Sequence, residues 1–394
     1  MKKKVMLIVP MLHQGGFERI CVMTARLLAP LYDVVLVVFS LEDIAFDVTG
    51  ITVIDLKLGA KKSKILKIFN VLRRGYALRQ LQKKLKTDIS YSFGMTANIA
   101  NAFSRNNILK LAACHSFEEI KRHSYMKLIG KRCDSIFCCS KKMADMVEKT
   151  YGFSNVFPLW NPCDIEEILA QREKSEREED FFGTSDRILV SMGREDDVKG
   201  FWHLLKCFRR IWEQRHDVRL IIVGDGDFVE YKGLAKNLEI ENKVWFTGLK
   251  NNPFPYLKRC DLYLLTSLSE GLPNALVEAL ALSLPIVSVN CKSGPAEILH
   301  ENWQDAEEKK QIFLADYGVL TPELSWEKKL EVEWRGKRIV LEESEENFAE
   351  AVLQMLSDDS LYEKYAKTGL GRAKDFSKEA YLKELINHIE DELG

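Results

Sequence analysis

The chain has 394 residues, 46% hydrophobic and 29% charged, with a formal net charge of −1. That size and apolar content suit two packed domains rather than one, and no run approaches the roughly 20 apolar residues of a membrane-spanning helix. Nine cysteines without a Cys-x-x-Cys pair and seven histidines without ligand spacing argue against a disulfide scaffold or a zinc site, and for reduced thiols in a cytoplasmic protein.

Strand-like and helix-like segments alternate from the start. Met1-Lys2-Lys3-Lys4 leads directly into the apolar run 5–9, and Pro10 follows too soon for a signal peptide, so this run reads as a first core strand. A Gly15-Gly16 turn and an amphipathic helix over 17–31 come next, then strands over 34–39 and 52–56. The tract 57–86 carries eleven Lys or Arg and no acid. Ile65, Ile68, Phe69, Leu72 and Tyr76 share one helical face, while Leu78, Leu81 and Leu85 share another. The change of face at Gly75 predicts two helical pieces. Strands follow over 108–113 and 135–139, the latter leading into a helix over 141–151. The loop Leu159-Trp160-Asn161-Pro162-Cys163-Asp164 reads as a hinge, and the charged stretch 171–180 as the domain boundary.

Beyond it, strands are predicted over 187–192, 219–223, 243–246, 261–265 and 285–289, each followed by a turn or helix. A polar segment over 300–344 reads as an inserted excursion, and 381–393 as a terminal helix. Such βα alternation implies parallel sheets covered by helices. The expected architecture is α/β: two doubly wound parallel-sheet domains facing a cleft, over 1–180 and 181–375, with a helix over 376–394 packing back on the first. Residues 1–164 hold 26 Lys+Arg against 13 Asp+Glu, or +13, while the remainder carries −14. This asymmetry suggests that the first half faces an anionic surface.

Chemistry concentrates at Ser269-Glu270-Gly271-Leu272-Pro273-Asn274-Ala275-Leu276-Val277-Glu278. The apolar run before it is a buried strand, and the Gly-Leu-Pro-Asn turn opens a helix in which Pro273 presets φ and Asn274 can cap amides. Glu270 then lies at the strand's carboxyl end, and Glu278 just over one turn into the helix. A helix N-terminus offers unpaired N–H groups to an anion, so two flanking carboxylates suit a ligand with both phosphates and hydroxyls. A nucleotide-sugar is such a ligand. Arg194 and Lys199 follow another strand and present two cations to a diphosphate.

Gly15-Gly16-Phe17-Glu18, Gly193-Arg194 with Lys199-Gly200, Val223-Gly224-Asp225-Gly226, the Glu270/Glu278 pair and Gly294-Pro295-Ala296-Glu297 occur in the order found in retaining glycosyltransferases of the GT-B fold. The chain resembles glycosyltransferase family four over nearly its whole length. The resemblance implies that Arg194 and Lys199 hold the diphosphate, Glu278 the ribose hydroxyls and Glu270 the donor sugar. The amides of Gly271, Leu272, Pro273 and Asn274 would line the sugar and phosphate. It also implies that His115, at the end of the strand over 110–114, contacts the donor sugar, and that Gly15 and Gly16 let the backbone approach a ligand. No metal is expected, because Asp225-Gly226-Asp227 is a structural turn in this family.

The expected activity is transfer of a sugar, with retention, from a UDP-sugar to a hydroxyl of a glycan or polyprenyl-diphosphate-linked acceptor in cell-surface polysaccharide assembly. Arg79, Lys83 and Lys84 in the basic tract would meet the acceptor or an anionic membrane surface, giving a cytoplasmic protein peripheral to the inner face of the membrane. Alternatives are a nucleotide-sugar epimerase of the same fold and a basic nucleic-acid-binding protein. The acidic second half and the scarcity of interleaved aromatics weigh against nucleic acid. An NAD-dependent oxidoreductase is disfavoured because Gly15-Gly16 lacks the full Gly-x-Gly-x-x-Gly pattern.

Overall fold

A computed structural model describes residues 2–13, 15–42, 44–60, 64–104, 106–174, 186–307 and 309–394, with the backbone alone at 64–68. Lys61, Lys62 and Ser63, the side chains of Ile65 and Ile68, and residues 175–180 of the charged stretch lie outside the described residues. The chain divides into two compact units, Met1–Pro162 with Lys378–Gly394, and Cys163–Ser377. The units therefore part at the loop read as a hinge and not at 180. The helix Ile165–Gln171 packs within the second unit, against the helix Asn274–Ala281.

The first unit holds a seven-stranded sheet in the order β3-β2-β1-β4-β5-β6-β7. Its strands are β1 (Lys4–Val9), β2 (Asp33–Val38), β3 (Thr52–Asp55), β4 (Ile89–Phe93), β5 (Leu109–Cys114), β6 (Ser135–Cys138) and β7 (Val156–Pro158), and all pairs are parallel. Both faces are covered, which is why β1 is apolar at every position from Val5 to Val9. Val5, Leu7 and Val9 join one core, while Met6 and Ile8 join the other. The helix Lys378–Leu393 packs on the first of these faces through Tyr381, Leu385 and Ile389. Tyr381 Oη lies 2.9 Å from Thr24 Oγ1 of the helix Gly16–Leu28.

The basic tract forms one continuous helix, Lys64–Leu85, and not two pieces. Gly75 marks a close approach instead: a Cβ there would lie 2.7 Å from Cβ of Phe103 on the helix Met95–Phe103. The buried side of the helix includes Asn70, Arg74, Leu78 and Gln82. Arg74 donates to Leu58 O through Nε (2.8 Å) and Nη2 (2.6 Å) and lies over the Phe39 ring, while burial lowers its guanidinium pKa. Phe69, Leu72 and Tyr76 face outward.

The second unit repeats the plan in the order β10-β9-β8-β11-β12-β14-β13. It contains β8 (Arg187–Met192), β9 (Val218–Val223), β10 (Val244–Gly248), β11 (Leu262–Leu265), β12 (Ile286–Val289), β13 (Phe313–Leu314) and β14 (Val319–Thr321). The pairs are parallel except β13 with β14. The polar segment is thus only partly an excursion, since β14 continues the sheet beside β12. Its later part forms a hairpin, β15 (Trp334–Arg335) and β16 (Arg338–Ile339). In each sheet the strand order reverses once, between β1 and β4 and between β8 and β11. Ligands of doubly wound folds bind at such switch points, beyond the strands' carboxyl ends.

Candidate functional site

At the switch point of the second sheet, the loops after β8 and β11 are laced together. Asp196 accepts from Val198 N (3.0 Å) and closes a short turn, Asp197–Lys199. Gly200 follows with φ +62°, and a Cβ there would lie 2.4 Å from Thr266 O. Thr266 Oγ1 donates to Lys199 O (3.0 Å), and Leu268 N donates to Val198 O (2.8 Å). Only a residue without a Cβ lets these backbones approach so closely. The stem of Lys199 runs over Gly193, and its Nζ meets Glu270 Oε1 at 2.7 Å. The side chains of this pair are 27% and 13% exposed. Two expected ligand contacts, 71 residues apart in sequence, thus form one ion pair.

The neighbouring acids do not compete for Lys199. Glu195 accepts from Phe228 N (2.7 Å), and Asp197 pairs with Lys328 (2.8 Å). Arg194 is exposed and makes no ion pair among the described residues. A Cβ on Gly224 would fall 1.8 Å from Gly193 O, so the Gly-Asp-Gly turn after β9 supports the loop that carries Arg194. Asp227 Oδ1 accepts from Val229 N (3.0 Å), which gives that acid a turn-forming task.

Gly271, Leu272 and Pro273 are buried, and a second loop braces them. Ser293 Oγ donates to Gly271 O (2.8 Å), and a Cβ on Gly294 (φ +93°) would meet Pro273 Cδ at 2.4 Å. The helix starts at Asn274, so its N-cap residue is Pro273 and not Asn274. Proline brings no side-chain acceptor, and the first amides are not capped by that residue. Glu278 is 4% exposed within this helix. Below it lies Tyr263 of β11, whose hydroxyl accepts from Met192 N (3.2 Å) and pins the end of β8. Burial raises the Tyr263 hydroxyl pKa, and the charges of Glu278 and Glu270 raise it further.

In the first unit, Gly15 is the N-cap of the helix Gly16–Leu28. A Cβ on Gly15 would lie 2.1 Å from Glu18 Oε2, whereas one on Gly16 meets nothing within 4 Å. Gly15 therefore makes room for the chain's own carboxylate, and Gly16 opens onto free space. His115 extends β5. Its Nδ1 lies 3.1 Å from Asn161 Oδ1, and its N donates to Glu119 Oε2 (3.0 Å). Burial lowers the imidazole to about 4, against the opposing bond to Asn161. Burial raises the Glu119 carboxyl, and the amides of His115, Met95 and Ser116 oppose that rise. Phe17 and Phe93 stack beside His115 at centroid distances of 6.4 and 5.9 Å.

Lys83 and Lys84 are exposed on the helix Lys64–Leu85. Arg79 is half-buried, unlike the two lysines, and its Nε is shielded, with no hydrogen-bond partner among the described residues. Thr266, Ser293, Tyr263 and Asn161 were not among the expected site residues. Asn161 alone carried a signal, its place in the loop read as a hinge.

Two family models match the chain, one to each unit for the most part. "Glycosyltransferase Family 4" covers residues 14–167, and "Glycosyl transferases group 1" covers residues 172–306. An uncharacterised glycosyltransferase of Methanocaldococcus jannaschii is 28% identical over 82% of this chain and 84% of its own length. A Campylobacter jejuni N-acetylgalactosamine-N,N'-diacetylbacillosaminyl-diphospho-undecaprenol 4-alpha-N-acetylgalactosaminyltransferase is 23% identical over 96% of this chain and 97% of its own. The fold is shared with Anabaena HepE, solved in complex with UDP, at a TM-score of 0.74 and 16% identity, over 98% of this chain and all of that one. Together with the paired doubly wound sheets, these matches show that the chain belongs to the family-four glycosyltransferases of the GT-B fold.

Proposed function

We propose that this glycosyltransferase moves a sugar from a UDP-sugar to a hydroxyl of a lipid-linked glycan, with retention of anomeric configuration, in the assembly of a cell-surface polysaccharide. The observation that carries the donor half is the Lys199–Glu270 pair, set at the switch point of the second sheet beside the mouth of the helix Asn274–Ala281. Donor binding moves the Lys199 charge from Glu270 to the diphosphate, where Arg194 adds a second cation. Glu270 is then left to the sugar hydroxyls and Glu278 to the ribose. As the glycosidic bond breaks, the growing charge on the leaving diphosphate falls on these cations and helix amides. Such a site needs no divalent metal, and chelator should leave transfer intact. The UDP donor follows the ligand of the HepE complex. The acceptor class follows the diphospho-undecaprenol named for the Campylobacter relative.

The enzyme would work on an anionic membrane surface at the cytoplasmic face, without nucleic acid as a partner. No helix among the described residues is long and apolar enough to cross a membrane. On the helix Lys64–Leu85, however, Phe69, Leu72 and Tyr76 are 58%, 51% and 65% exposed, with Arg73, Lys83 and Lys84 also exposed. Apolar side chains facing water within a tract that has no acid suit the interfacial layer of an anionic bilayer. Vesicles containing anionic lipid should sediment the protein at low salt. Paired Phe69→Ser and Tyr76→Ser, or paired Lys83→Glu and Lys84→Glu, should abolish that, and sedimentation unchanged by either pair refutes the membrane contact.

The catalytic reading is tested by offering UDP-sugars with and without a glycan on polyprenyl diphosphate, with the product's anomeric configuration read by NMR. UDP released only with acceptor, and an unchanged configuration, support it. Release without acceptor would favour an epimerase of the same fold.

A further inference from the structure

We infer that Asn161 is a positioning residue for His115: its side-chain oxygen fixes the imidazole proton on Nδ1 and leaves Nε2 as an acceptor for a substrate hydroxyl. The inference rests on the reading of His115 as a residue that meets substrate. An amide oxygen can only accept, so at 3.1 Å from Asn161 Oδ1 the facing Nδ1 must carry hydrogen. A neutral imidazole has one N–H, and placing it on Nδ1 leaves a lone pair on Nε2. That atom is shielded from solvent and has no hydrogen-bond partner among the described residues. A buried acceptor without a partner is unfavourable until a donor arrives.

The surroundings hold the ring in this state. Asn161 is 6% exposed, and the following Pro162 disfavours a helical backbone at Asn161. Phe17 and Phe93 lie within 17° and 11° of parallel to the imidazole and restrict its rotation. The bond from His115 N to Glu119 fixes the backbone from which the ring projects. Turning the ring over would present carbon to Asn161 and lose the bond. The consequence is chemical selectivity. A lone pair at Nε2 attracts a sugar or acceptor hydroxyl and repels a phosphate oxygen, so His115 takes no part in holding the diphosphate.

The test is the ring tautomer, read from two-bond proton–nitrogen correlations in protein labelled with 15N-histidine, the His115 signals being those lost in His115→Gln. A proton on Nδ1 is expected, and one on Nε2 would overturn the inference. Asn161→Leu should shift the proton toward Nε2 and slow transfer by about tenfold, the equivalent of one lost hydrogen bond, while UDP binds as before. Asn161→Asp, whose carboxylate also accepts, should keep the proton on Nδ1 and recover transfer relative to Asn161→Leu. If Asn161→Leu does not fold, the wild-type and Asn161→Asp spectra decide. A shifted tautomer with undiminished transfer would leave the positioning intact and remove His115 from contact with substrate.

Discussion

Replacing Lys199 with methionine keeps the stem that crosses Gly193 and removes the charge, which leaves Glu270 unpaired in a site where its side chain is 13% exposed. A hydrogen bond between charged groups contributes about 1.5–3 kcal/mol. The 27% exposure of Lys199 places this pair toward the lower end, so the cost should be roughly 1–2 kcal/mol. In a unit of this size that corresponds to a fall in Tm of roughly 2–8 °C. Glu270→Gln should cost less, because the amide oxygen still accepts from Lys199. In the double variant Lys199→Met with Glu270→Gln, the second change should be nearly free, giving a coupling of about 1 kcal/mol, above the scatter expected for independent sites. Calorimetry with UDP then separates the functional roles. Lys199→Met should weaken UDP by about tenfold or more. Glu270→Gln should bind UDP at least as tightly as wild type, since it removes an anion that competes for the lysine. Coupling near zero, or equal losses of UDP affinity in both single variants, would refute the idea that one lysine serves carboxylate and diphosphate in turn.

Three further outcomes follow from the same geometry. Gly200→Ala puts a Cβ 2.4 Å from Thr266 O at φ +62°, so strain and overlap should cost roughly 2–4 kcal/mol in the second unit, measurable by urea unfolding. Gly16→Ala meets nothing within 4 Å and should leave Tm unchanged, so any loss of transfer in that variant reports a ligand close to this backbone. Equal destabilisation by Gly16→Ala and Gly15→Ala would contradict the different surroundings of the two glycines. For His115 the folded-state pKa of about 4 lies below the unfolded value of about 6.5. The unfolded chain therefore binds the extra proton, and stability falls as pH drops from 6.5 toward 4 and is unaffected above 6.5. The slope is at most about 1.4 kcal/mol per pH unit from this group. His115→Gln should flatten that part of the unfolding curve of the first unit, and an unchanged slope would count against a neutral, buried imidazole.

The parallel strands were the most legible part of the chain because burial on both faces makes them continuous apolar runs. The strand β4, Ile-Ser-Tyr-Ser-Phe, escaped notice for the same reason in reverse. Its serines are buried yet satisfied from outside the strand, Ser90 by Asn101 Oδ1 at 2.8 Å and Ser92 by Leu111 O at 3.2 Å. Hydrophobic periodicity carries no record of such partners. Gly75 shows a second limit, since an interior glycine can mean a break or a close helix approach, and only the neighbouring Phe103 decides which. The motifs at Gly193-Arg194, Lys199 and Glu270 indicated a shared ligand, but spacing along the chain does not reveal that two of them neutralise each other.

The basic helix exposes the deepest ambiguity of pattern reading. Periodicity showed that Phe69, Leu72 and Tyr76 share a side, and an apolar side is ordinarily the packed one. Here Arg74 and Asn70 take the inward positions, because the carbonyls of Leu58 and Gly59 need donors that an apolar side chain lacks. Once a guanidinium and an amide occupy the inner face, the apolar residues nearly half a turn away are left facing solvent. The same sequence pattern therefore encodes a core helix or an outward-facing apolar stripe, depending on unsatisfied carbonyls in a loop that precedes it. Arg74→Leu separates the two consequences: it should destabilise the first unit by removing both Arg74 donors from Leu58 O, which keeps the longer bond from Asn70 Nδ2 (3.4 Å), while any sedimentation with anionic vesicles should be unchanged.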